Sequence, residues 1–336
     1  MEDPAKLTKL SRFFDHRLAK SADFRQGFRH LFRRQPERIQ KWLRKLLWGS
    51  SFRHMHEVTP GAVLQPTAEG GWRLRLRCGD TEDIYSRPLS LLRMADSRPV
   101  SLIATGPSAL DYPWDELRNG RRAIWAVNGA PAVLASQGLK CEFLVVTDYH
   151  FAQKEAAQIR LAAEWGAQLI FSYEAVAMFA TICPELLKVT PFYVVEKVNR
   201  WYALPCLGTE ELDALNRSWG NPFLLPNRPK PNVGWSYDPL YGIFSAKTVT
   251  FAALQLIVWH GASDIGVIGL DLGGNSRAYV EEHPAVSRLD RDREHFILPS
   301  FECMAKALCG TPVRIVNHSK ISVLPRNLVP ENLVIS

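Results

Sequence analysis

The sequence lacks the patterns that announce a redox, metal-binding or membrane-spanning protein. Its six cysteines, Cys78, Cys141, Cys183, Cys206, Cys303 and Cys309, are scattered, with no C-x-x-C pair and no metal-ligand spacing. Most lie among apolar neighbours, which favours buried thiols over a redox device. The longest apolar run in a helical pattern, residues 251–259, is far short of the ~20 residues needed to cross a bilayer. The opening Met-Glu-Asp-Pro-Ala-Lys has no apolar signal segment, so a cytoplasmic protein is expected. There is no G-x-G-x-x-G fingerprint and no Walker-type Gly-x-x-x-x-Gly-Lys-Ser/Thr, which leaves a redox dinucleotide unsupported and excludes a P-loop. No internal repeat or low-complexity tract occurs.

What is present is an ordinary globular balance over 336 residues, 46% hydrophobic and 22% charged. The charge is uneven. Residues 1–54 hold fourteen Lys and Arg against five Asp and Glu, a net +9; the whole chain is +7, so the remainder is near −2. In this basic extension, residues 1–58, Leu7, Leu10, Phe14 and Leu18 share a helical face, as do Ile39, Trp42, Leu43 and Leu46 further on. Apolar stripes flanked by Lys and Arg suit helices lying on an anionic membrane surface. Equally, the stripes can pack on the main domain with the charges merely solvated. No nucleic-acid recognition module accompanies the charge.

Residues 59–98 change texture. Gly70-Gly71 is a turn signal, and residues 72–78 alternate apolar and charged side chains, which predicts a half-buried strand in a small β unit. From residue 99 to 336 strands alternate with helices. Buried strands are predicted at 100–104, 123–127, 143–147, 168–171, 192–195, 265–268 and 313–316, with helices at 151–165 and 248–260. Parallel strands with crossover helices, a Rossmann-like α/β sheet, follow from that alternation. Residues 204–244, rich in Pro, Asn, Gly and Trp, are expected to be a lid or an acceptor-binding insertion.

In such a sheet, ligands bind beyond the carboxyl ends of the strands. Thr105-Gly106-Pro107-Ser108 follows the first strand and can bring backbone N–H groups to a phosphate. Asn128 ends the second strand and Asp148 follows the third. Thr248 and Thr250 open an apolar helix, where hydroxyls and free N–H groups favour an anion. Asp271 lies just past a buried strand. Taken singly, each has a plain alternative as a turn, a cap or a left-handed Asn-Gly; together they line one crevice. Arg277, Arg288, Arg291 and Arg293 surround Tyr279, either to meet an anionic ligand or as a solvated charged loop. Asp290-Arg-Asp292 has the D-x-D spacing of metal-dependent glycosyltransferases, but two carboxylates arise easily by chance in so charged a run. His318, after the last strand, either closes the crevice or caps it.

In order and spacing, the Gly-Pro-Ser turn, the strand-ending Asn, the hydroxyl-bearing helix N-terminus, and Ile-Gly-Leu-Asp271 with Tyr279 eight residues on resemble bacterial sialyltransferases of glycosyltransferase family 42. They also resemble related lipopolysaccharide-core and flagellin-glycosylation proteins of unknown or Kdo-transferring activity. The resemblance covers residues 99–325. It implies a GT-A-variant Rossmann-like fold and metal-independent, inverting transfer from a CMP-sugar, with no cofactor. It further implies that Gly106, Pro107 and Ser108 approach the nucleotide, that Asn128 contacts the donor, and that Asp271 holds the cytidine side. Tyr279 would hydrogen-bond a phosphate oxygen as CMP leaves. The general base of those enzymes is a His; His295, in Arg293-Glu-His-Phe rather than Gly-His-Ser, and His283 are the two contenders. A lipid-linked acceptor such as lipopolysaccharide core, reached from the cytoplasmic side of the inner membrane, would account for the basic extension. A pterin pyrophosphokinase-like enzyme using ATP and Mg²⁺ is the rival activity, and a membrane-docking scaffold the non-catalytic alternative.

Overall fold

The computed structural model describes residues 52, 54, 62–76, 82–93, 98–228, 230–273, 277–280 and 289–329. Its centre is a seven-stranded, all-parallel sheet of β4 (Val100–Ile103), β5 (Ala123–Val127), β6 (Phe143–Val146), β7 (Gln168–Ser172), β8 (Phe192–Val195), β11 (Asp264–Ile268) and β12 (Arg314–Asn317). Each strand predicted after residue 99 forms, within a residue or two at its ends. Continuous runs such as Ala-Ile-Trp-Ala-Val in β5 are buried on both faces, as a sheet covered on both sides requires.

Alternate strand residues feed two separate cores. Leu102, Trp125, Val145 and Ile170 point to one, and Ile103, Ile124, Ala126, Leu144 and Phe171 to the other. The second core is covered by α1 (Ala130–Ser136), α2 (Tyr149–Lys154), α3 (Ala156–Glu164), α4 (Tyr173–Ile182) and α5 (Pro184–Val189). The helix expected at 151–165 is broken in two at Glu155, whose φ of −116° and ψ of 36° leave the helical region. The first core is covered by α7 (Val249–His260), buried almost all round, and by α9 (Leu298–Leu308). Between them lie the short helix α8 (Leu289–Asp292) and one π turn, Arg293–Ile297.

The predicted β unit is a three-stranded antiparallel sheet of β1 (Ala62–Pro66), β2 (Trp72–Leu76) and β3 (Ile84–Tyr85). Its inner residues Leu64, Trp72, Leu74 and Ile84 join the second core, and the Arg87 N–H donates to the Phe192 carbonyl at 2.8 Å. The unit is thus fastened along the β8 edge. Of the basic extension only Phe52 and His54 are described, and His54 is buried with its Nε2 at 3.3 Å from the Trp201 carbonyl. The remainder of the extension lies outside the described residues, as do His283 and Arg288. Among the described residues no helix is long and apolar enough to cross a membrane.

Residues 204–244 are built rather than loose. They contain α6 (Thr209–Ser218), opened by Gly208 and closed back by the Glu211 carboxylate accepting the Gly208 N–H at 2.7 Å, and the antiparallel pair β9 (Phe223–Leu224) and β10 (Trp235–Ser236). Phe223, Val233, Trp235, Tyr241 and Phe244 belong to the first core. The buried Gln255 side chain of α7 ties the segment down. Its carbonyl accepts the N–H groups of Ser236 and Phe244, and its amide donates to the Phe244 carbonyl at 2.8 Å.

The strand order is β12-β11-β4-β5-β6-β7-β8. From β4 the chain moves outward through β8, then returns to add β11 and β12 on the other side. The order therefore reverses between β4 and β11, and an open parallel sheet presents its ligand crevice at that reversal, beyond the carboxyl ends.

Candidate active site

The two strand ends at the reversal are pressed together. Gly106, after β4, donates its N–H to the Gly269 carbonyl, after β11, at 2.9 Å. A Cβ on Gly106 would collide with the Asp271 carboxylate and come within 2.6 Å of the Gly269 oxygen. Gly269 itself has φ 76°, and a Cβ there would lie 2.7 Å from the Ala104 carbonyl oxygen. Asp271, 5% exposed, then clasps the turn. One carboxylate oxygen accepts the Ser108 N–H at 2.9 Å; the other accepts the hydroxyls of Ser108 and of Ser319, beyond β12. One carboxylate thus fixes the ends of β4, β11 and β12, and both its oxygens are occupied.

Over this clasp opens a cleft of about 770 Å³. Thr105, Gly106 and Asp271 form its floor, with Asn128 at the end of β5. Asn128 has φ 45°, a conformation Asn tolerates better than most residues, and its Oδ1 is buried with no hydrogen-bond partner. The ring of Tyr279 lies against Gly129, so close that a Cβ on Gly129 would overlap it. The Ala278 N–H holds this segment in place by donating to the Thr105 carbonyl at 2.9 Å. Thr248, Val249 and Thr250 bring the N-terminus of α7 to the cleft, and no side chain caps it. The first N–H groups of a twelve-residue helix are thereby left for a ligand.

The opposite wall carries charge. Lys197 and Arg200 follow β8, and Lys247 precedes α7; all three line the cleft. Lys197 Nζ donates to Glu174 Oε1 at 2.9 Å, and Glu174, in the first turn of α4, is 1% exposed. Burial pushes the Glu174 carboxyl up, but the Lys197 ammonium and the hydrogen bonds to it outweigh this and hold it below its ordinary value. Lys247 has φ 59° after Ala246 at 41°, and its ammonium sits 5.4 Å from the centre of the Phe296 ring. Desolvation, and then the charge of Arg200, push the Lys247 pKa below its ordinary value. Asn128, Lys247 and Leu272 are half of the six non-glycine residues with positive φ among the described residues, and all three line the cleft. Backbone strain concentrated in this way marks a functional site.

The structure brings most of the sequence-predicted residues together. Gly106, Asn128, Asp148, Thr248, Thr250, Asp271, Arg277 and Tyr279 line the cleft. Pro107 and Ser108 do not; they open a 3-10 turn, and Ser108 faces Asp271 instead. Asp148 lines the cleft and also caps α2, accepting the His150 N–H at 2.8 Å. His295 is exposed on the π turn, away from the lining residues, with its carbonyl 3.3 Å from Lys230 Nζ. His318 packs edge-on to Tyr112 outside the cleft. Asp292 lines the cleft paired with Arg291 at 3.1 Å, and Asp290 pairs with Arg293 at 3.4 Å. Among the described residues no group of three His, Cys, Asp or Glu could hold a metal ion.

The lining residues that sequence reasoning did not single out include Lys197, Arg200 and His150. Each stands within five residues of the carboxyl end of a predicted strand, which is the signal that could have found them. His150 is the histidine that lines the cleft among the described residues, its ring 3.9 Å from that of Tyr149.

The clasp sets a measurable expectation. Asp271→Ala strands the Ser108 N–H and two hydroxyls and should lower unfolding free energy by about 2–4 kcal/mol, whereas Ser319→Ala removes one donor and should cost about 1 kcal/mol. Chemical denaturation of the two variants checks this. Equal losses would mean that the carboxylate does not join the three strand ends.

No known family model matches the chain, and no curated protein sequence matches it. Solved structures that it matches include the MAf glycosyltransferase from Magnetospirillum magneticum AMB-1, at 15% identity and a TM-score of 0.39 over 68% of this chain; the match spans 35% of that enzyme, about a third of its length. They also include the sialyltransferase CstII from Campylobacter jejuni. With the substrate analogue CMP-3FNeuAc, CstII matches at 12% identity and a TM-score of 0.38, over 67% of this chain and 83% of CstII. With cytidine 5′-monophosphate it matches at 12% identity and 0.37, over 70% and 88%.

Proposed function

We propose that the chain is a glycosyltransferase that moves a Kdo or sialic-acid-like sugar from a CMP-sugar to a saccharide acceptor. The observation that carries this is the composition of the cleft at the sheet reversal: an unpartnered Asn128 carbonyl oxygen beside an uncapped helix N-terminus and a tyrosine. A buried acceptor atom without a partner calls for a ligand donor such as a ribose hydroxyl or a cytosine amine. The free N–H groups of α7 suit the single phosphate of a nucleoside monophosphate, and a cleft of about 770 Å³ suits a nucleotide joined to one sugar. The motif order Gly-Pro-Ser, Asn128, Thr248, Asp271 and Tyr279 supports the same donor.

The transfer divides among these residues as follows. His150 takes the proton from the acceptor hydroxyl, since imidazole titrates near neutral pH and this one lines the cleft. The acceptor oxygen forms its bond to the anomeric carbon as the bond from that carbon to the phosphate oxygen breaks. CMP departs with the electron pair, stabilised by the α7 N–H groups and the Tyr279 hydroxyl. Asp271 holds the turn on which the nucleotide rests. The acceptor is a lipid-linked saccharide such as lipopolysaccharide core. Residues 1–54, with their net +9, hold the enzyme at the anionic cytoplasmic face of the inner membrane, where that acceptor is concentrated.

Three measurements test this reading. In a thermal-shift panel of CMP, CDP, UDP, GDP and ATP, with and without Mg²⁺, CMP should stabilise the protein in either condition, by ~2.7 kcal/mol at a hundredfold excess over Kd. A shift with ATP and Mg²⁺ but none with CMP would point to the pyrophosphokinase-like alternative. His150→Ala should lower kcat by about a hundredfold or more, with His295→Ala near wild type; the reverse pattern would return the base to His295. Deleting residues 1–54 should abolish binding to anionic liposomes while leaving CMP binding intact, and undiminished liposome binding would remove the membrane role.

A further inference from the structure

The cationic wall of the cleft carries more positive charge than its neighbours neutralise. Lys197 is taken by Glu174, and Asp292 by Arg291. Arg200 and Lys247 remain, and among the described residues neither forms an ion pair. The Arg200 Nε is buried with no hydrogen-bond partner at all. A guanidinium nitrogen removed from water without an acceptor is costly, and a planar oxyanion is the group that its fork matches.

Two members of this wall stand apart from the Gly106 turn, while Lys247 adjoins the α7 N-terminus. Lys197 and Arg200 follow β8, whereas the Gly106 turn follows β4, four strand spacings away, or roughly 19 Å across the sheet at about 4.8 Å per strand. The wall is backed by the end of the 204–244 insertion, because Lys197 bridges to Ile243 and the chain runs from there into Lys247. Lys230 and Asn232 of that insertion stand beside it, Lys230 over the same Phe296 ring at 5.8 Å. Lys197 and Arg200 therefore lie on the insertion-covered side of the cleft.

We propose that Lys197 and Arg200, with Lys247 at the border of the nucleotide phosphate site, form an anion subsite that holds a phosphate or carboxylate carried by the acceptor saccharide. The assignment rests on the donor–acceptor reading of the cleft. In it Lys197, anchored by Glu174, is the fixed member; Arg200 supplies the fork and Lys247 the second charge.

The test uses the full chain and inorganic phosphate as the probe, followed by phosphorus NMR line broadening. Phosphate should bind the wild type in the presence of saturating CMP, and also of saturating CMP-N-acetylneuraminate. Arg200→Gln should weaken it by about tenfold or more while CMP affinity stays within about twofold, and Lys247→Gln should weaken phosphate binding as well. Arg200→Lys, which keeps the charge but loses the fork, should fall between, and unchanged thermal midpoints would show that the variants are folded. The proposal is overturned if wild type binds no phosphate or if the Gln variants bind it undiminished. It is also overturned if CMP displaces the phosphate, which makes the wall the nucleotide phosphate site. Displacement by CMP-N-acetylneuraminate but not by CMP would assign the wall to the donor sugar's carboxylate and likewise overturn the acceptor assignment. If neither nucleotide binds but Arg200-dependent phosphate binding persists, the donor reading fails and the anion subsite stands.

Discussion

The architecture turns on one carboxylate. Asp271 stands where the strand order reverses, and a reversal leaves two neighbouring strand ends whose following segments diverge. Something must hold those segments together if they are to form a floor rather than a gap. A carboxylate can accept several hydrogen bonds at once, and here it takes a backbone N–H and two hydroxyls from segments that follow β4 and β12. Glycine at 106 and 269 is the geometric condition for this arrangement, because any side chain at either would force β4 and β11 apart at their ends. The cleft inherits its shape from that contact.

Around this fixed floor the walls are made in two different ways. The wall at Asn128 and Tyr279 is held by close backbone approach and ring packing, and leaves a neutral acceptor and helix N–H groups exposed to the cleft. The wall at Lys197, Arg200 and Lys247 is held by a single deeply buried ion pair. Glu174 contributes stability that is present above its ordinary pKa and lost as pH falls through its depressed folded value, so Lys197 stays anchored through the neutral range. Among the described residues Arg200 and Lys247 have no such anchor. The insertion packed through Gln255 closes the outer side and brings this second wall against the first.

Much of the sheet was legible in the sequence because a parallel strand buried on both faces is written as a short, uninterrupted apolar run. Ala123–Val127 and Phe192–Val195 are read directly in that way. The insertion was not, because four of the ten residues of its helix α6 are charged and its strands are two residues long, too brief to show a period. The site was legible in outline, since polar residues at strand ends are conspicuous after apolar runs. What sequence could not give was partnership. Ser108 reads as a ligand contact until Asp271, 163 residues away, is found holding it. His295 lies on the exposed π turn and His150 on the cleft rim, a difference in place that neither local sequence shows.

The electrostatics of the cleft connect these observations. A lysine in left-handed backbone geometry, desolvated and beside an arginine, is unfavourable on each count. Such an arrangement favours whatever relieves it. An oxyanion between Arg200 and Lys247 would cancel their repulsion and draw the Lys247 pKa back toward its ordinary value, so that binding and protonation reinforce each other. The same anion would help order the acceptor across from the helix N-terminus, with the hydroxyl near His150. The α7 N-terminus and the Arg200–Lys247 pair thus give the cleft two places for negative charge, and Asp271 fixes the floor that they share.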